Sequence, residues 1–325
     1  MEASPIFPSA GLGDGMYESF YLRAFAPEQP LGVWIRHTVH KRPGLAPTGS
    51  IWCTVFDARR DGPFMAKSTS AELEVPPGGW ISVGGQASFG PGSAEGSCGE
   101  ASWSLQFTTT EPPLRHLSPE WLYRAPLPRT KLTSPAPRAL FAGRLTLAGA
   151  EPISLEGWPG MVGHNWGSEH AERWIWLHGT DFAEAPEAWL DVGLGRILIG
   201  RRLTPWVASG ALSLDGVRHH IGGLRGARPQ VHETATGCSI QFAGRDGLKI
   251  ALNARIPPGL AAGWRYADPD GGEHDVVNCS LARLELDVLA GPQPGRSLTS
   301  AHGGAYELGM RERDHGIPIA PFADG

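Results

Sequence analysis

Ionisable and aromatic side chains are concentrated in residues 160–179, which contain three His, three Trp, two Glu, one Arg and one Asn. A carboxyl group in an apolar, Trp-lined pocket has its ionised form destabilised, so it can stay protonated and act as a general acid. The segment therefore predicts acid catalysis on an alkene or a carbonyl group. For each carboxylate the alternative is a surface charge or an ion pair with Arg173. The candidates are Glu169, Glu172, Asp181 and Asp191.

Period-2 alternation predicts that one extended run ends at Trp166 and Gly167 and that another occupies residues 173–181. Residues 168–172 are then expected to connect them as a hairpin. Alternating side chains point to opposite faces of a strand. One face carries Trp174, Trp176, His178 and Thr180, and the other carries Arg173, Ile175, Leu177, Gly179 and Asp181. The alternation does not say which face is inside.

Five indoles lie near this segment: Trp158, Trp166, Trp174, Trp176 and Trp189. They either pack in the core or line a pocket for a flat or long apolar ligand. We expect Asp181 or Glu169 to donate the proton and His164 and His178 to orient or relay it. The expected substrate contacts are Asn165, Trp166, Trp174, Trp176 and Tyr306.

The three histidines His164, His170 and His178 raise a metal-dependent enzyme as one alternative. Their spacings of six and eight residues match no zinc signature, so we expect no metal ligands here. Neither Gly-rich stretch, residues 11–15 or 193–195, has the strand–turn–helix context of a nucleotide loop, and the sequence lacks a G-x-S-x-G elbow. We therefore expect no cofactor.

The composition excludes several other classes of protein. With a net charge of −5 and no basic stripe, the chain is not expected to bind nucleic acid. No segment approaches the ~20 apolar residues of a membrane helix, and the first residues lack signal-peptide features, so a cytoplasmic protein is expected. Four cysteines without C-x-x-C spacing disfavour structural zinc and leave disulfides open: Cys53, Cys98, Cys238 and Cys279. The oligomeric state is not determined.

Short β-rich runs separated by Gly and Pro turns predict an all-β fold, either barrel or sandwich. Early strands are expected at residues 19–26, 32–40 and 50–57, and a closing strand at 303–310 with Tyr306 and Leu308 inward. In the first of these strands, alternation puts Phe20, Leu22, Ala24 and Ala26 on one face and Tyr21, Arg23 and Phe25 on the other. Seven prolines in residues 111–137 argue against a central strand there, so this stretch is interpreted as an ordered linker with a short helix at 119–124. The expected modules are residues 1–125 and 126–325.

The segments Gly163-His164-Asn165-Trp166-Gly167 and Arg173-Trp174-Ile175-Trp176-Leu177-His178 resemble the central part of the carotenoid 1,2-hydratase (hydroxyneurosporene synthase) and tocopherol cyclase-like superfamily. Some fungal and bacterial lipocalin-like pericyclases are similar. Residues 17–21 and 305–309 fit the resemblance loosely.

The resemblance implies two lipocalin-like β-barrels packed together, with an apolar site in or between them. It also implies a cofactor-free lyase or isomerase, hydratase- or cyclase-like, acting on an unsaturated isoprenoid, polyketide or lipid-like substrate. A fold does not fix a function, so a non-catalytic carrier of a lipid or pigment remains the alternative from another class.

Overall fold

The computed structural model describes residues 3–223 and 226–322 and shows a nearly all-β protein built from two large antiparallel sheets. The helical elements of this part of the chain are two 3-10 turns, Phe7–Ser9 and Glu120–Tyr123. The first sheet contains β1 (Met16–Phe25), β2 (Leu31–Lys41), β3 (Thr48–Asp57), β4 (Phe64–Ser70), β5 (Leu73–Glu74), β6 (Ile81–Val83), β7 (Ala87–Gly90), β8 (Ser93–Cys98), β9 (Ala101–Thr108), β10 (Leu114–Arg115), β11 (Thr130–Leu147), β12 (Ile153–Ser154) and β13 (Trp158–Gly167).

The second sheet contains β14 (Arg173–Phe182), β15 (Ala185–Arg196), β18 (Val207–Leu214), β19 (Val217–Gly222), β20 (Gln230–Thr234), β21 (Gly237–Ala243), β22 (Lys249–Arg255), β23 (Ala262–Ala267), β24 (Glu273–Ala290) and β25 (Ser297–Met310). A separate small hairpin is formed by β16 (Leu198–Ile199) and β17 (Arg202–Leu203). One sheet makes a near-closed barrel and the other a half-barrel, which confirms the expected pair of lipocalin-like modules.

Strand β1 lies between the two modules and is buried along its whole length. Phe20, Leu22 and Ala24 pack into the core of the first sheet. The alternate residues Tyr21 and Phe25 belong to clusters shared with the second sheet. The face assignment made from the alternation is therefore confirmed, and both faces are buried because each is covered by a module.

Residues 160–179 do not form the predicted hairpin. Strand β13 pairs with β1 and β11 in the first sheet, whereas β14 pairs with β15 and β25 in the second. Residues 168–172 carry the chain from one sheet to the other. The chain therefore passes from the first sheet to the second at residues 168–172, whereas the expected module boundary is after residue 125.

The expected linker is also partly wrong. Strand β11 begins at Thr130 and runs through Pro135 and Pro137, in the middle of the first sheet between β9 and β13. Its pairing with β13 shifts register between Thr133 and Ala136 and again between Ala136 and Ala139. A proline has no backbone N–H to donate to a neighbouring strand. At these register shifts the regular hydrogen bonds are interrupted, so the strand can contain prolines. The expected short helix is present as the 3-10 turn Glu120–Tyr123.

The structure also describes the state of the cysteines and the character of the helices. All four cysteines are buried free thiols, so the protein has no disulfide. Within residues 3–223 and 226–322, no helix combines the length and apolar character that crossing a membrane requires.

Candidate functional site

A cavity of about 710 Å³ lies between the two sheets. Its floor is formed by the outward-facing residues of β1 and β2, which include Tyr17, Tyr21, Trp34 and Arg36. Strands β14, β15, β23 and β25 of the second sheet contribute Trp174, Trp176, Gly193, Gly195, Tyr266 and Glu307. The expected linker and the β16–β17 hairpin supply an apolar outer wall, which includes Leu117, Leu122, Leu127, Leu198 and Ile199. The volume suits a small-molecule ligand.

Two glycines make room for the aromatic walls. A Cβ at Gly163 would lie 2.1 Å from the ring of Tyr21, and a Cβ at Gly309 would lie 2.1 Å from the ring of Trp174. Both distances are far below ordinary contact, so each ring occupies the space that a side chain would fill. The Gly163 of the motif therefore has a direct role in shaping the cavity.

A buried carboxylate, Asp191, and a partly buried one, Glu307, anchor the two indoles of β14. Trp176 Nε1 donates to Asp191 Oδ1 (3.0 Å), and Trp174 Nε1 donates to Glu307 Oε1 (2.9 Å). Glu307 also accepts from Asn278 Nδ2 (3.0 Å) and Tyr266 Oη (3.3 Å). Each indole N–H of β14 is therefore held by a carboxyl group, which fixes the orientation of its ring.

Asp191 is fully buried behind Trp176 and is not itself in the cavity wall. It accepts from Ser134 Oγ (2.5 Å) and lies 3.3 Å from His116 Nε2. Burial alone would raise the pKa of Asp191, but the charge and hydrogen bond of His116 outweigh it and hold that pKa below its usual value. Asp191 is therefore an ionised anchor for the cavity wall.

A His–Asp pair lies at the cavity wall where the chain crosses between the sheets. His170 Nδ1 lies 2.7 Å from Asp268 Oδ1, which also accepts from the His170 backbone N–H. Burial would raise the pKa of Asp268, but the hydrogen bond and charge of His170 hold it below its usual value. The His170 ring is stacked between Tyr17 (3.9 Å) and Trp174 (5.2 Å). With Nδ1 bound to an ionised orienting group, Nε2 is left as the nitrogen for proton exchange.

Tyr21 adds a proton donor to the cavity wall. Burial, with the charges of Asp191 and Glu307, raises the pKa of Tyr21 well above its usual value, so its phenol stays protonated. The ring meets Trp176 edge-on at 5.5 Å. The cavity thus combines a neutral hydroxyl donor, an imidazole and aromatic faces that favour a positive charge.

The structure separates the histidines proposed for a metal site. His164 Nε2 lies 2.7 Å from Glu18 Oε1, and its ring stacks on Phe20 and Trp166. His178 is buried between Arg23 Nη1 (2.8 Å) and the Pro137 carbonyl (2.9 Å). Burial lowers the pKa of His178 to about 4. Each histidine has a different partner, so the three cannot share a metal ion.

Neither His164 nor His178 contributes to the cavity wall. Asp181 also lies outside it: β14 loses its register with β15 between Thr180 and Phe182, and Asp181 there adopts a left-handed conformation (φ 58°). The alternation puts Asp181 on the face opposite Trp174 and Trp176, and the regular pairing of the strand is interrupted at this bulge. This position gives no support to its expected role as proton donor.

Other expected residues do reach the cavity. Asn165, Glu169, Trp174 and Trp176 all form part of its wall. Glu169 makes an ion pair with Arg129, and Asn165 Oδ1 accepts from Ser19 Oγ (2.6 Å). Two expected contacts are packed elsewhere. Trp166 stacks on His164, and Tyr306 is buried in the second core, where its hydroxyl donates to the Thr234 carbonyl (2.8 Å).

The sequence interpretation missed Arg36, Asp268 and Glu307 as site residues. Asp268 belongs to an Asp-Pro-Asp-Gly-Gly stretch that is typical of a surface turn, and it is 98 residues from its partner His170. Arg36 and Glu307 gave a usable signal, because each is a charged residue in the interior of a strand. Such a residue is buried only with a partner or a function.

Comparison with known proteins places the fold but not the activity. No family model matches the chain. An uncharacterised protein of Mycobacterium tuberculosis, found in strains H37Rv and CDC 1551, is 26% identical over 301 residues, covering 91% of this chain and 87% of the relative.

Three solved structures share the architecture. CghA matches with a TM-score of 0.64 and 12% identity over 91% of this chain and 88% of its own. A putative AttH from Nitrosomonas europaea matches with a TM-score of 0.56 and 12% identity, covering 95% and 97%. Kievitone hydratase from Nectria haematococca matches with a TM-score of 0.55 and 9% identity, covering 95% and 93%. At these identities the likeness establishes the fold.

Proposed function

We propose that this protein is a cofactor-free lyase or isomerase, hydratase- or cyclase-like, acting on an apolar unsaturated isoprenoid, polyketide or lipid-like substrate in the cavity between the sheets. The observation that carries the proposal is the His170–Asp268 pair in the aromatic wall. An imidazole fixed by a buried carboxylate is an arrangement for proton transfer. The name of kievitone hydratase, which shares the fold, agrees with such chemistry.

In a hydration, the protonated His170 gives its Nε2 proton to one carbon of a polarised double bond. A water molecule adds its oxygen to the other carbon and returns one proton to His170, so the catalyst is regenerated without any redox change. In a cyclisation the same residue protonates the substrate and later removes a proton, and the product is an isomer. Positive charge that develops on the substrate is stabilised by the Trp174 and Trp176 faces and by the carboxylate of Glu307.

The role of Asp268 is to hold the His170 ring and to stabilise its protonated form, as an orienting carboxylate does in other proton-transfer sites. Tyr21 is placed to donate a hydrogen bond to a substrate oxygen. Glu169 is paired with Arg129 and therefore suits a charge at the cavity rim better than a neutral acid.

The test compares the wild type with His170→Gln and Asp268→Asn. Each is incubated with a total lipid extract of the host organism, and the products are resolved by mass spectrometry. The wild type is expected to convert at least one compound into an isomer or into a product heavier by one water. Both variants should lose most of this conversion. His220→Gln, which changes an exposed histidine of β19, is the matched control and should keep it.

A carrier uses the same cavity without converting its ligand. If a compound co-purifies with the wild type, is released unchanged and persists in all three variants, the lyase or isomerase assignment is wrong and the carrier is right.

A metal-dependent enzyme is the second candidate, with ligands that differ from those expected. His170, Asp268 and His274 offer ligand atoms within 4.8 Å of one another. Asp268 Oδ2 and both ring nitrogens of His274 are buried without a hydrogen-bond partner. Burial lowers the pKa of His274 to about 3, so its ring is neutral and able to ligate.

The metal candidate predicts stoichiometric zinc, iron, copper or manganese in protein purified without an affinity tag. It also predicts that His274→Gln loses both the metal and the activity. Activity that persists in metal-free protein favours the proton-transfer mechanism instead.

A further inference from the structure

We infer that Arg36 is an anion subsite: the ligand of this cavity carries a negatively charged oxygen group, a carboxylate or an enolate, at the end of its apolar chain. The inference rests on the proposed function, because it names the class of substrate that the same cavity takes. It follows from a difference in hydrogen bonding: the other buried cations of the protein have several acceptors, and Arg36 has only one.

Arg36 is 5% exposed and forms part of the cavity floor. Its Nη2 makes one weak hydrogen bond, to Ser19 Oγ at 3.3 Å, and its Nη1 is buried without any partner. Among the described residues it forms no ion pair. Its remaining contacts are with aromatic faces, at 4.1 Å from the ring centre of Tyr266 and 5.4 Å from that of Trp52.

The other buried cations are supplied with acceptors. Arg23 donates to His178 Nδ1 and to the carbonyls of Gly303 and Ser280 at 2.8–3.0 Å. The Lys131 ammonium donates to three carbonyls at 2.5–2.9 Å. Both guanidinium Nη atoms of Arg23 have acceptors and only its Nε lacks one, and Lys131 has one acceptor for each of its three N–H groups. Arg36 has no such set.

A buried charge without a partner is costly, because its lost hydration is not replaced. Cation–π contacts offset only part of this cost. Glu307 contacts the same Tyr266 ring system through the phenol, but its oxygens are occupied by Trp174, Tyr266 and Asn278. The missing anion is therefore expected to come from the ligand, and the planar guanidinium fits a carboxylate or an enolate oxygen well.

The distribution of polarity gives the ligand a direction. Arg36 lies on the cavity floor, whereas Leu127, Leu198 and Ile199 in the outer wall are 42%, 50% and 58% exposed and form an apolar rim. A ligand with one charged end and an apolar chain satisfies both regions when its head meets Arg36 and its chain extends towards the rim. A neutral hydrocarbon leaves Arg36 unpaired.

The experiment compares cis-parinaric acid, a fluorescent polyene carboxylate, with its methyl ester, by titration into the wild type, Arg36→Met and Arg283→Met. Arg283 is the matched control, because it is an exposed arginine of β24 that lies outside the cavity wall. The wild type and Arg283→Met are expected to bind the acid at least ~10-fold more tightly than the ester. In Arg36→Met that preference should vanish while ester binding is retained.

Two further outcomes separate this inference from the proposed function. Equal binding of acid and ester by the wild type overturns the anion subsite and leaves the apolar cavity intact. Binding of neither probe overturns both. If Arg36→Met changes the shape of the cavity, the binding comparison loses its meaning, so the stability of the ligand-free variant is measured as well. Removal of an unpaired buried charge should raise the urea midpoint of unfolding, whereas a purely structural arginine predicts a fall.

Discussion

The cavity wall can be tested with a single methyl group at Gly309. Gly309 lies opposite Trp174 across the β14–β25 pairing, and its missing side chain leaves the space in which the indole lies. A Cβ there would stand 2.1 Å from Cζ2 of Trp174, whereas ordinary contacts begin at 3.4 Å. In Gly309→Ala the ring must therefore move into the cavity.

Two effects should lower the free energy of unfolding of Gly309→Ala. Forcing extra volume into a packed site costs about 1–3 kcal/mol. Displacing the indole also weakens its hydrogen bond to the Glu307 carboxylate, which is worth about 1.5–3 kcal/mol. We expect Gly309→Ala to lower the free energy of unfolding by roughly 3 kcal/mol in total and to weaken binding of any probe in the cavity.

The assay is urea unfolding followed by tryptophan fluorescence, together with titration of cis-parinaric acid. The matched control is Gly195→Ala, also in the cavity wall, where the added Cβ meets only Ala171 at 3.4 Å. That variant should stay within about 0.5 kcal/mol of the wild type. Equal stability and equal probe binding in the two variants would refute the assignment of Gly309 as the space for Trp174.

Three other predictions concern buried groups that are not part of the cavity wall. Asp191→Asn should lower the free energy of unfolding by about 3–5 kcal/mol, because it removes the charge from a buried pair. Ser134→Ala should lower it by only about 1 kcal/mol. Similar losses for the two variants in urea unfolding would contradict an ionised Asp191. The pKa of His178 is about 4, so between pH 6.5 and 4 this residue takes up a proton only in the unfolded chain. The free energy of unfolding therefore falls by roughly 1.4 kcal/mol per pH unit on acidification. The fall from pH 7 to 5 should be smaller in His178→Gln. A thiol reagent should leave the folded protein unmodified and label four buried thiols after denaturation: Cys53, Cys98, Cys238 and Cys279. Rapid labelling of the native protein would contradict their burial.

Local pattern was enough to place most strands and their faces. The alternation in β1 separated Phe20 and Leu22 from Tyr21 correctly, and Tyr306 and Leu308 are inward as expected. Two indoles of β14, Trp174 and Trp176, lie in the cavity wall. These predictions succeed because the two-residue period of a strand is a property of the local backbone.

The same local pattern failed where pairing is decided at long range. Neither the separation of β13 and β14 into different sheets nor the proline-containing course of β11 follows from periodicity, since strand partners are chosen by the whole sheet. Alternation also could not fix the position of Asp181, because the regular pairing of β14 with β15 is interrupted by a bulge there.

The sequence by itself determined an all-β chain with an aromatic, histidine-bearing segment at its centre. Only the tertiary structure decided which histidine has a proton-transfer geometry. Asp268 reaches His170 across 98 residues of chain, while His164 and His178 are engaged by partners elsewhere in the fold. The reason is physical: the behaviour of an ionisable side chain is set by its burial and its partners, and both are properties of the folded protein.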